Sequence, residues 1–305
     1  MKTQVLKLTC LLICLLTIAP VCQAGGRWKA KHVVLIGLDG WGAYSVEKAN
    51  IPHIKQLMND GSYTLTKRSV LPSSSAVNWA SMFMGAGPEL HGYTTWGSQT
   101  PELPSRELNQ HNIFPTVFQL LRDAAPDAEI GTLYEWDGIK YLVDTLSVNN
   151  YNEGKGIDYG KHPTELRDLA VTYIKEKKPT LTLIAWDNPD HVGHQDGHDT
   201  PAYYQKLEEL DKYIGDVIEA VNEAGMLKET IFIVTADHGG INKGHGGKTM
   251  QEMETPFIIS GKNIKKGHEI QASMMQFDVA STIAAIFGLK QPQVWIGRPM
   301  TEVFK

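Results

Sequence analysis

The sequence predicts an α/β fold in which a mostly parallel central sheet carries helices on both faces. Short apolar runs alternate with amphipathic runs along the chain, which is the pattern of strands connected by crossover helices. The chain has 305 residues, of which 42% are hydrophobic, and this is enough for one large domain. Acidic residues and histidines directly follow several of the apolar runs. Because ligands bind at the carboxyl ends of strands in such sheets, these positions predict a site at one edge.

The first 24 residues have the pattern of a secretory signal peptide. Lys2 and Lys7 precede an apolar run from Leu8 to Pro20, which is shorter than the roughly 20 residues that span a bilayer. Small residues at Cys22 to Ala24 suit cleavage. We therefore expect residues 25–305 to form a single exported domain, periplasmic or secreted, with no membrane-spanning segment after cleavage.

Cleavage would also determine which metal ligands remain. The three cysteines, Cys10, Cys14 and Cys22, all lie in the predicted signal peptide. The remaining chain would bind a metal only through His, Asp and Glu. Lipidation of Cys22 is the weaker alternative, because the residues before it form a poor acylation box.

The order of apolar and amphipathic runs predicts each element of the domain. Strands are expected over His32–Leu38, Ser62–Val70, Glu129–Tyr134, Thr180–Trp186, Thr230–Ala236 and Thr255–Ser260. Helices are expected over Ile51–Asp60, Ser75–Met84, Pro115–Arg122, Thr164–Lys177, Ala202–Glu223 and Phe277–Phe287. The polar stretches Thr94–Asn112 and Tyr141–His162 break the alternation and are predicted to be cap-like insertions over one edge of the sheet.

Composition restricts the classes of partner. The formal net charge is −5, from 29 basic and 34 acidic residues, so nothing indicates a nucleic-acid-binding surface. An acidic chain attracts an anionic substrate poorly unless a bound metal reverses the local field.

Three clusters of acids and histidines follow three predicted strands. They are Asp39 after the first strand, then Asp187, Asp190, His191 and His194 after the fourth, then Asp237 and His238 after the fifth. One aspartate after a strand is more often a helix cap, but three clusters that meet at one edge favour a metal site. The step of four residues from Asp to His occurs twice, at Asp187/His191 and Asp190/His194, and spacing leaves both pairs open.

Two further features complete this predicted site. His245, in a glycine-rich loop, could supply a further ligand, although alone it would be interpreted as a solvated loop histidine. Ser73, Ser74 and Ser75 precede a predicted helix, where one serine could cap the helix or act as a nucleophile near its free N–H groups. Two metals, a serine and a helix N-terminus suit in-line transfer of a phosphoryl or sulfuryl group.

From about His32 to Leu289 the sequence resembles the alkaline phosphatase superfamily, and within it the nucleotide pyrophosphatase/phosphodiesterase branch. The segments that carry the resemblance are VVLIGLDGWG, PSSSAVNW, GAGPELHG, EWDG, NPDHVGH, TADHGG and KGHGG. Their order and spacing match the family, and together they are highly specific.

The resemblance implies two zinc ions, with manganese or iron as alternatives, and a phospho-serine intermediate at Ser75. The ligands that it implies for one zinc are Asp39, Ser75, Asp237 and His238. Those that it implies for the other are Asp190, His194 and His245, which leaves Asp187 and His191 outside. It further implies that Asn78, together with the backbone N–H of Ala76, donates to a phosphate oxygen.

The chain departs from the family pattern in two places. Ser75-Ala-Val-Asn78 stands where Thr-Phe-Pro-Asn is usual, so the aromatic side chain of the nucleotide pocket is missing at Ala76, and Trp136-Asp-Gly138 replaces Trp-Pro-Gly. The aromatic residues available to stack on a leaving group, or to pack in the walls, are Tyr44, Trp79, Tyr134 and Trp136.

The expected function is an exported, metal-dependent phosphoric ester hydrolase, with a phosphodiesterase or nucleotide pyrophosphatase acting on a small-molecule phosphate ester as the leading interpretation. A phosphomonoesterase is the nearest alternative and needs an extra cation near the phosphate, for which Lys67, Arg68 and Lys248 are candidates. A sulfatase is disfavoured because Ser75-Ala-Val-Asn78 lacks the required Pro and Arg. A non-catalytic metal-binding protein would leave the serine unexplained.

Overall fold

The computed structural model describes residues 28–150, 152, 156–158 and 160–305, so the predicted signal peptide lies outside the described residues. The strands are β1 (His32–Leu38), β2 (Gly61–Arg68), β3 (Ile130–Tyr134), β4 (Leu181–Trp186), β5 (Thr230–Thr235), β6 (Glu254–Gly261) and β7 (His268–Glu269). The helices are α1 (Pro52–Asn59), α2 (Ser75–Met84), α3 (Pro88–His91), α4 (Val117–Ala124), α5 (Glu165–Lys177), α6 (Asp190–Asp196), α7 (Pro201–Glu223), α8 (Met250–Met253) and α9 (Asp278–Ile286).

The strands form one seven-stranded sheet in the order β3-β4-β1-β5-β6-β2-β7. Strands β3, β4, β1 and β5 are parallel neighbours, and β6 runs antiparallel to both β5 and β2. The sheet is therefore mostly parallel, as predicted, with a single reversed strand. Because β2 runs in the same direction as β1, β4 and β5, the carboxyl ends of all four strands lie at one edge.

Helices cover both faces of this sheet because successive side chains of its strands point to opposite faces and are apolar on both. In β1, Val33 and Leu35 pack in one apolar cluster with α2, α4 and α9, while Val34 and Ile36 pack in a second with α1, α5 and α7. These four residues are essentially inaccessible to solvent. Two apolar layers thus hold the central strands in register and fix the positions at which they end.

The predicted elements are present with shifts of a few residues at their ends, and the structure adds elements that the sequence did not predict. The most consequential is α6, which covers Asp190–Asp196, a segment rich in Asp and His for which the sequence predicted no helix or strand. The insertion Thr94–Asn112 contains neither helix nor strand. Within the described residues, no helix is both long and apolar enough to span a membrane.

Candidate metal centre

The carboxyl edge of the sheet brings together all the residues for which the resemblance implied metal binding. Asp39 follows β1, Asp190 and His194 lie on α6 after β4, Asp237 and His238 follow β5, Ser75 begins α2 and His245 lies in the loop before α8. They form two neighbouring groups of potential ligand atoms.

The first group is centred on the His238 ring. Its Nε2 atom lies 3.4 Å from Asp39 Oδ1, 3.3 Å from Asp237 Oδ2 and 3.2 Å from Ser75 Oγ. Its Nδ1 atom lies 2.7 Å from the carbonyl oxygen of Gly239, so Nδ1 carries a proton and donates it. In the neutral ring, the lone pair of Nε2 therefore faces the serine and the two carboxylates, which is the arrangement of a ligand.

The two carboxylates of this group are each held by one oxygen. Trp79 Nε1 donates to Asp39 Oδ2 at 3.0 Å, and the backbone N–H of Gly40 donates to Asp237 Oδ1 at 3.1 Å. The other oxygens, Asp39 Oδ1 and Asp237 Oδ2, are buried and without a hydrogen-bond partner among the described residues. These are the two oxygens that face His238.

The second group consists of Asp190, His194 and His245. The Nε2 atoms of the two histidines are 3.1 Å apart, and they lie 3.1 Å and 3.6 Å from Asp190 Oδ2. Each Nδ1 atom is 3.0 Å or less from a carbonyl oxygen, that of Lys243 for His194 and that of Ser73 for His245. With both Nδ1 atoms donating, two neutral rings would direct two lone pairs at one carboxylate, so this point requires a proton or a cation.

The residues fit divalent metal ions. Asp39 Oδ1 and Asp237 Oδ2 are two buried carboxylate oxygens that lack a hydrogen-bond partner in the described part of the chain, and such oxygens are costly without a compensating charge. Potential ligand atoms of Asp39, Asp190 and His238 also lie within 4.8 Å of one another, so the two groups adjoin through Asp190. Imidazole nitrogen and carboxylate oxygen together are the donors that zinc prefers when no thiolate is available.

The pKa values show the same accumulation of buried negative charge. Burial, reinforced by Asp237 and Asp190, raises the pKa of Asp39 well above its usual range. Burial also raises the pKa of Asp237, to about 7. Burial acts in the same direction on Asp190, but its contact with His194 and the nearby rings of His238 and His245 outweigh it and lower the pKa of Asp190. The carboxylates are stable as anions only where positive charge adjoins them.

Ser75 occupies the first position of α2 and is 8% exposed. Its hydroxyl donates to His238 Nε2, and the N-terminus of a ten-residue helix lies directly behind it. The backbone N–H of Ala76, however, donates to the carbonyl oxygen of Trp96 at 3.1 Å. The loop 94–98 thus uses this N–H, and its contact with a phosphate oxygen stays a prediction.

Asn78 does not have the contacts expected of a phosphate-binding residue. Its Oδ1 accepts from Val70 N at 2.7 Å, and its Nδ2 donates to the carbonyl oxygens of Val70, Pro72 and Ser74 at 3.1–3.2 Å. The side chain is fully buried and both its amide hydrogens are used. These contacts fix the loop that positions Ser75, and the role of Asn78 as a phosphate donor stays a prediction.

The other candidates lie in several places around the site. Trp79 and Tyr134 are buried, as expected for packing, and Tyr44 is half-buried beside Tyr203. Trp136 is half-buried and lies beside Asp39, so it borders the site directly.

The three residues proposed as an extra cation near the phosphate are Lys67, Arg68 and Lys248. Lys67 is fully buried, and its Nζ donates to the carbonyl oxygen of Ala236 at 2.9 Å and to Gln276 Oε1. Burial lowers the pKa of Lys67 to about 7. Arg68 forms a 3.4 Å ion pair with Glu254, and Lys248 is exposed. Neither Lys67 nor Arg68 has its charge directed at Ser75.

Asp187 and His191 lie outside both ligand groups. The backbone N–H of Asp187 donates to Glu135 Oε2 at 2.8 Å, and His191 Nε2 lies 2.6 Å from Gln195 Nε2. The alternative pair that spacing left open thus borders the centre. Sequence reasoning missed two residues here: Glu135, which is buried at the end of β3, and His198, whose place at the end of the histidine-rich segment was the available signal.

Comparison with known proteins identifies the family of the chain. The family model for type I phosphodiesterase/nucleotide pyrophosphatase matches residues 33–243, more than half of the chain. The chain belongs to this family. Ectonucleotide pyrophosphatase/phosphodiesterase family member 1 of Rattus norvegicus is 27% identical over 233 residues, which cover 72% of this chain and 25% of that protein. The bis(5'-adenosyl)-triphosphatase of Mus musculus is 22% identical over 222 residues, covering 69% of this chain and 47% of that protein. The chain thus spans less than half the length of these curated relatives.

Solved structures show the same fold. Murine ectonucleotide pyrophosphatase/phosphodiesterase 5, as an inactive variant in complex with AMP, superposes with a TM-score of 0.68 at 16% identity, covering 86% of this chain and 96% of that one. A phosphonate monoester hydrolase from Silicibacter pomeroyi gives a TM-score of 0.69 at 16% identity, covering 89% and 76%. These comparisons confirm the alkaline phosphatase-like architecture that the sequence predicted.

Proposed function

We propose that this protein is a metal-dependent phosphoric ester hydrolase, a phosphodiesterase or nucleotide pyrophosphatase, that acts through a phospho-serine intermediate at Ser75. One observation carries the proposal. The Ser75 hydroxyl begins a buried helix and lies 3.2 Å from His238, within a group of carboxylates whose inward oxygens have no hydrogen-bond partner in the described residues. Membership of the family supports the same reaction class.

The chain offers ligands for two ions, taken to be zinc. Asp39, Asp237, His238 and Ser75 would hold one, and Asp190, His194 and His245 the other. When bound, such ions supply Lewis acidity, which lowers the pKa of an adjacent hydroxyl and neutralises charge on a phosphoryl group.

Within this centre the protein residues position and attack the substrate. Ser75 loses its proton to solvent and its Oγ forms a bond to phosphorus. The bond from phosphorus to the leaving oxygen breaks on the opposite side, and that oxygen takes a proton from water to leave as an alcohol. The N-terminus of α2 directs its dipole at the negative charge that accumulates on the phosphoryl oxygens. Water then hydrolyses the phospho-serine, and two inversions give net retention at phosphorus.

The surroundings of Ser75 favour a diester over a monoester. A monoester dianion needs an additional cation, yet Lys67 is buried against Ala236 and Arg68 is paired with Glu254. A diester carries one negative charge and a second substituent, for which Trp136 at the border of the site offers an aromatic surface. The expected substrate is a small-molecule phosphate ester.

The proposal includes export. The pattern of residues 1–24 supports a secretory signal, after which the enzyme would be periplasmic or secreted. The catalytic domain would then be residues 25–305, with the insertions near 94–112 and 141–162 shaping the leaving-group pocket.

Two substitutions test the chemistry. With a chromogenic diester and a monoester that share one leaving group, we expect the zinc-loaded wild type to show the higher kcat/KM on the diester. Ser75→Ala should lose several orders of magnitude, since activated seryl attack contributes most of the rate. Ser74→Ala is the matched control and should retain most activity. Near-normal turnover by Ser75→Ala would refute the mechanism, and a monoester preference would make the enzyme a phosphatase.

A further inference from the structure

His198 is held in a closed slot beside the metal centre. Its side chain has no exposed surface. A Cβ atom at Gly193 would lie 2.4 Å from the His198 ring, and one at Gly240 would lie 2.3 Å from it, so only glycine at these two positions leaves room for the imidazole. The Tyr203 ring, centred 5.4 Å away, packs against the imidazole. The ring is therefore fixed by α6 and the loop after β5, which also carry predicted metal ligands, and by Tyr203 of α7.

The slot directs one nitrogen of His198 at a carboxylate that also lacks a partner. Neither ring nitrogen has a hydrogen bond to any described residue, and Nε2 lies 3.5 Å from Asp190 Oδ1. Asp190 Oδ1 is itself buried and without a hydrogen bond in the same residues. The other oxygen, Oδ2, faces His194 and His245. The Asp190 carboxylate thus has His198 near Oδ1, and His194 and His245 near Oδ2.

The chemistry of the pair decides what His198 does. A carboxylate oxygen only accepts, so the contact is attractive when Nε2 carries a proton and donates it. A hydrogen bond at Oδ1 fixes the rotation of the carboxylate and keeps Oδ2 directed at the two imidazole rings. Groups that orient a metal ligand in this manner typically change metal affinity by about 10- to 100-fold when they are removed.

We propose that His198 is a positioning residue that donates Nε2–H to Asp190 Oδ1 and thereby orients Oδ2 toward the ion shared with His194 and His245. The inference rests on the proposed metal centre. It goes beyond it by assigning a role to a histidine that is not among the predicted ligands.

A pair of substitutions separates donation from packing. His198→Gln keeps an N–H donor near the position of Nε2, whereas His198→Met has nearly the same length and volume and no donor. The full chain of each variant is stripped of metal, and its zinc affinity is measured by competition with a chromogenic chelator. The absorption spectrum of the cobalt-substituted protein reports the ligand geometry, and the Tm of the metal-free protein reports folding.

We expect His198→Met to bind one of its two zinc ions about 10- to 100-fold more weakly, with an altered cobalt spectrum and an unchanged metal-free Tm. His198→Gln should restore most of the affinity and the wild-type spectrum. Equal affinity losses in both variants, or none in either, would overturn the inference while wild type still binds two zinc ions. Wild type that binds no zinc would instead refute the proposed centre and the inference with it. If His198→Met does not fold, His198→Phe replaces it as the ring-sized variant without a donor.

Discussion

At the scale of single residues, one device recurs at three histidines. His194, His238 and His245 each place Nδ1 at 2.7–3.0 Å from a backbone carbonyl oxygen, and each directs Nε2 at a carboxylate. The carbonyl fixes the tautomer, so the lone pair of Nε2 is available to a metal without rearrangement. Two of these carbonyls, those of Lys243 and Ser73, lie in loops far in the sequence from the histidines that they contact. The sequence motifs therefore identified the rings but not the groups that orient them.

Asn78 provides a prediction about loop positioning. Asn78→Ala would leave Val70 N and neighbouring carbonyls without their buried partner, and each such loss costs about 1–3 kcal/mol. We expect a clear decrease in the free energy of unfolding, measured by denaturant titration of the metal-free protein. The exposed Asn222→Ala on α7 is the control and should change stability by about 0.5 kcal/mol or less. An Asn78→Ala variant that is as stable as wild type but has a large loss of kcat would instead support phosphate binding by Asn78.

Glu135 provides a prediction about pH. Burial raises the pKa of this carboxyl to about 8, although the N–H of Asp187 opposes the shift. The unfolded chain has the ordinary value of about 4.3, so at intermediate pH the folded state binds the extra proton. The stability that depends on this proton is present below the unfolded pKa and is lost as pH rises through 8.

Glu135→Gln should remove that dependence because the amide does not ionise. We expect the difference in Tm between Glu135→Gln and wild type to grow in favour of the variant from pH 5 to pH 9, both measured without metal. A difference that is constant over this range would contradict a raised pKa at Glu135.

At the scale of elements, the contact between β1 and α2 connects the metal site to the core. Gly37 in β1 lies under the Trp79 ring of α2, where an added Cβ would be 2.2 Å from a ring carbon. Trp79 in turn donates to Asp39 at the end of the same strand. Because Gly37 has no side chain, α2 can approach β1 closely enough for Trp79 to hold Asp39.

Gly37→Ala should displace Trp79 and weaken both packing and metal binding. Overpacking of this kind costs about 1–3 kcal/mol, and the loss of the Trp79 hydrogen bond frees the Asp39 carboxylate. We expect a lower Tm and weaker zinc affinity, measured together. Gly97→Ala is the control, because no atom lies within 4 Å of its added Cβ. Wild-type zinc affinity in Gly37→Ala would show that Trp79 does not hold Asp39.

The sequence predicted the elements well where periodicity was strong and poorly where tertiary contacts decide. The central strands are buried on both faces, so their apolar runs identified them. Helix α6 was not predicted, because Asn188-Pro189 and Gly193 are typical of a loop and the sheet edge supplies the contacts that stabilise the helix. The reversed direction of β6 was also beyond the pattern, since strand periodicity carries no direction.

The candidate site was predictable to a similar degree. Positions directly after strands gave Asp39, Asp237 and His238, because the topology brings strand ends together. The choice of Asp190 over Asp187 came from the resemblance. The predicted roles of Asn78 and the Ala76 N–H came from the resemblance and the expected mechanism, and in the structure these groups contact the loop 70–74 and Trp96. His198 escaped prediction because its slot depends on Gly240, which is far from it in the sequence, as well as on Gly193.

At the scale of the whole molecule, the sheet assembles one centre from residues that span the chain from Asp39 to His245. Parallel strands end at a common edge, and the two apolar layers fix where each strand stops. The result is a concentration of buried carboxylates that is electrostatically unfavourable by itself. The central claim is that two metal ions compensate this charge and make Ser75 a nucleophile.

The most direct measurement of this claim is the zinc content per chain of purified, zinc-loaded protein by elemental analysis. We predict two zinc ions in wild type, and one fewer in each of Asp39→Ala and His245→Ala, which belong to different ligand groups. The control His191→Ala should retain two, because His191 lies outside both groups. Wild type that holds less than one zinc ion, or ligand variants that keep the full content, would contradict the account.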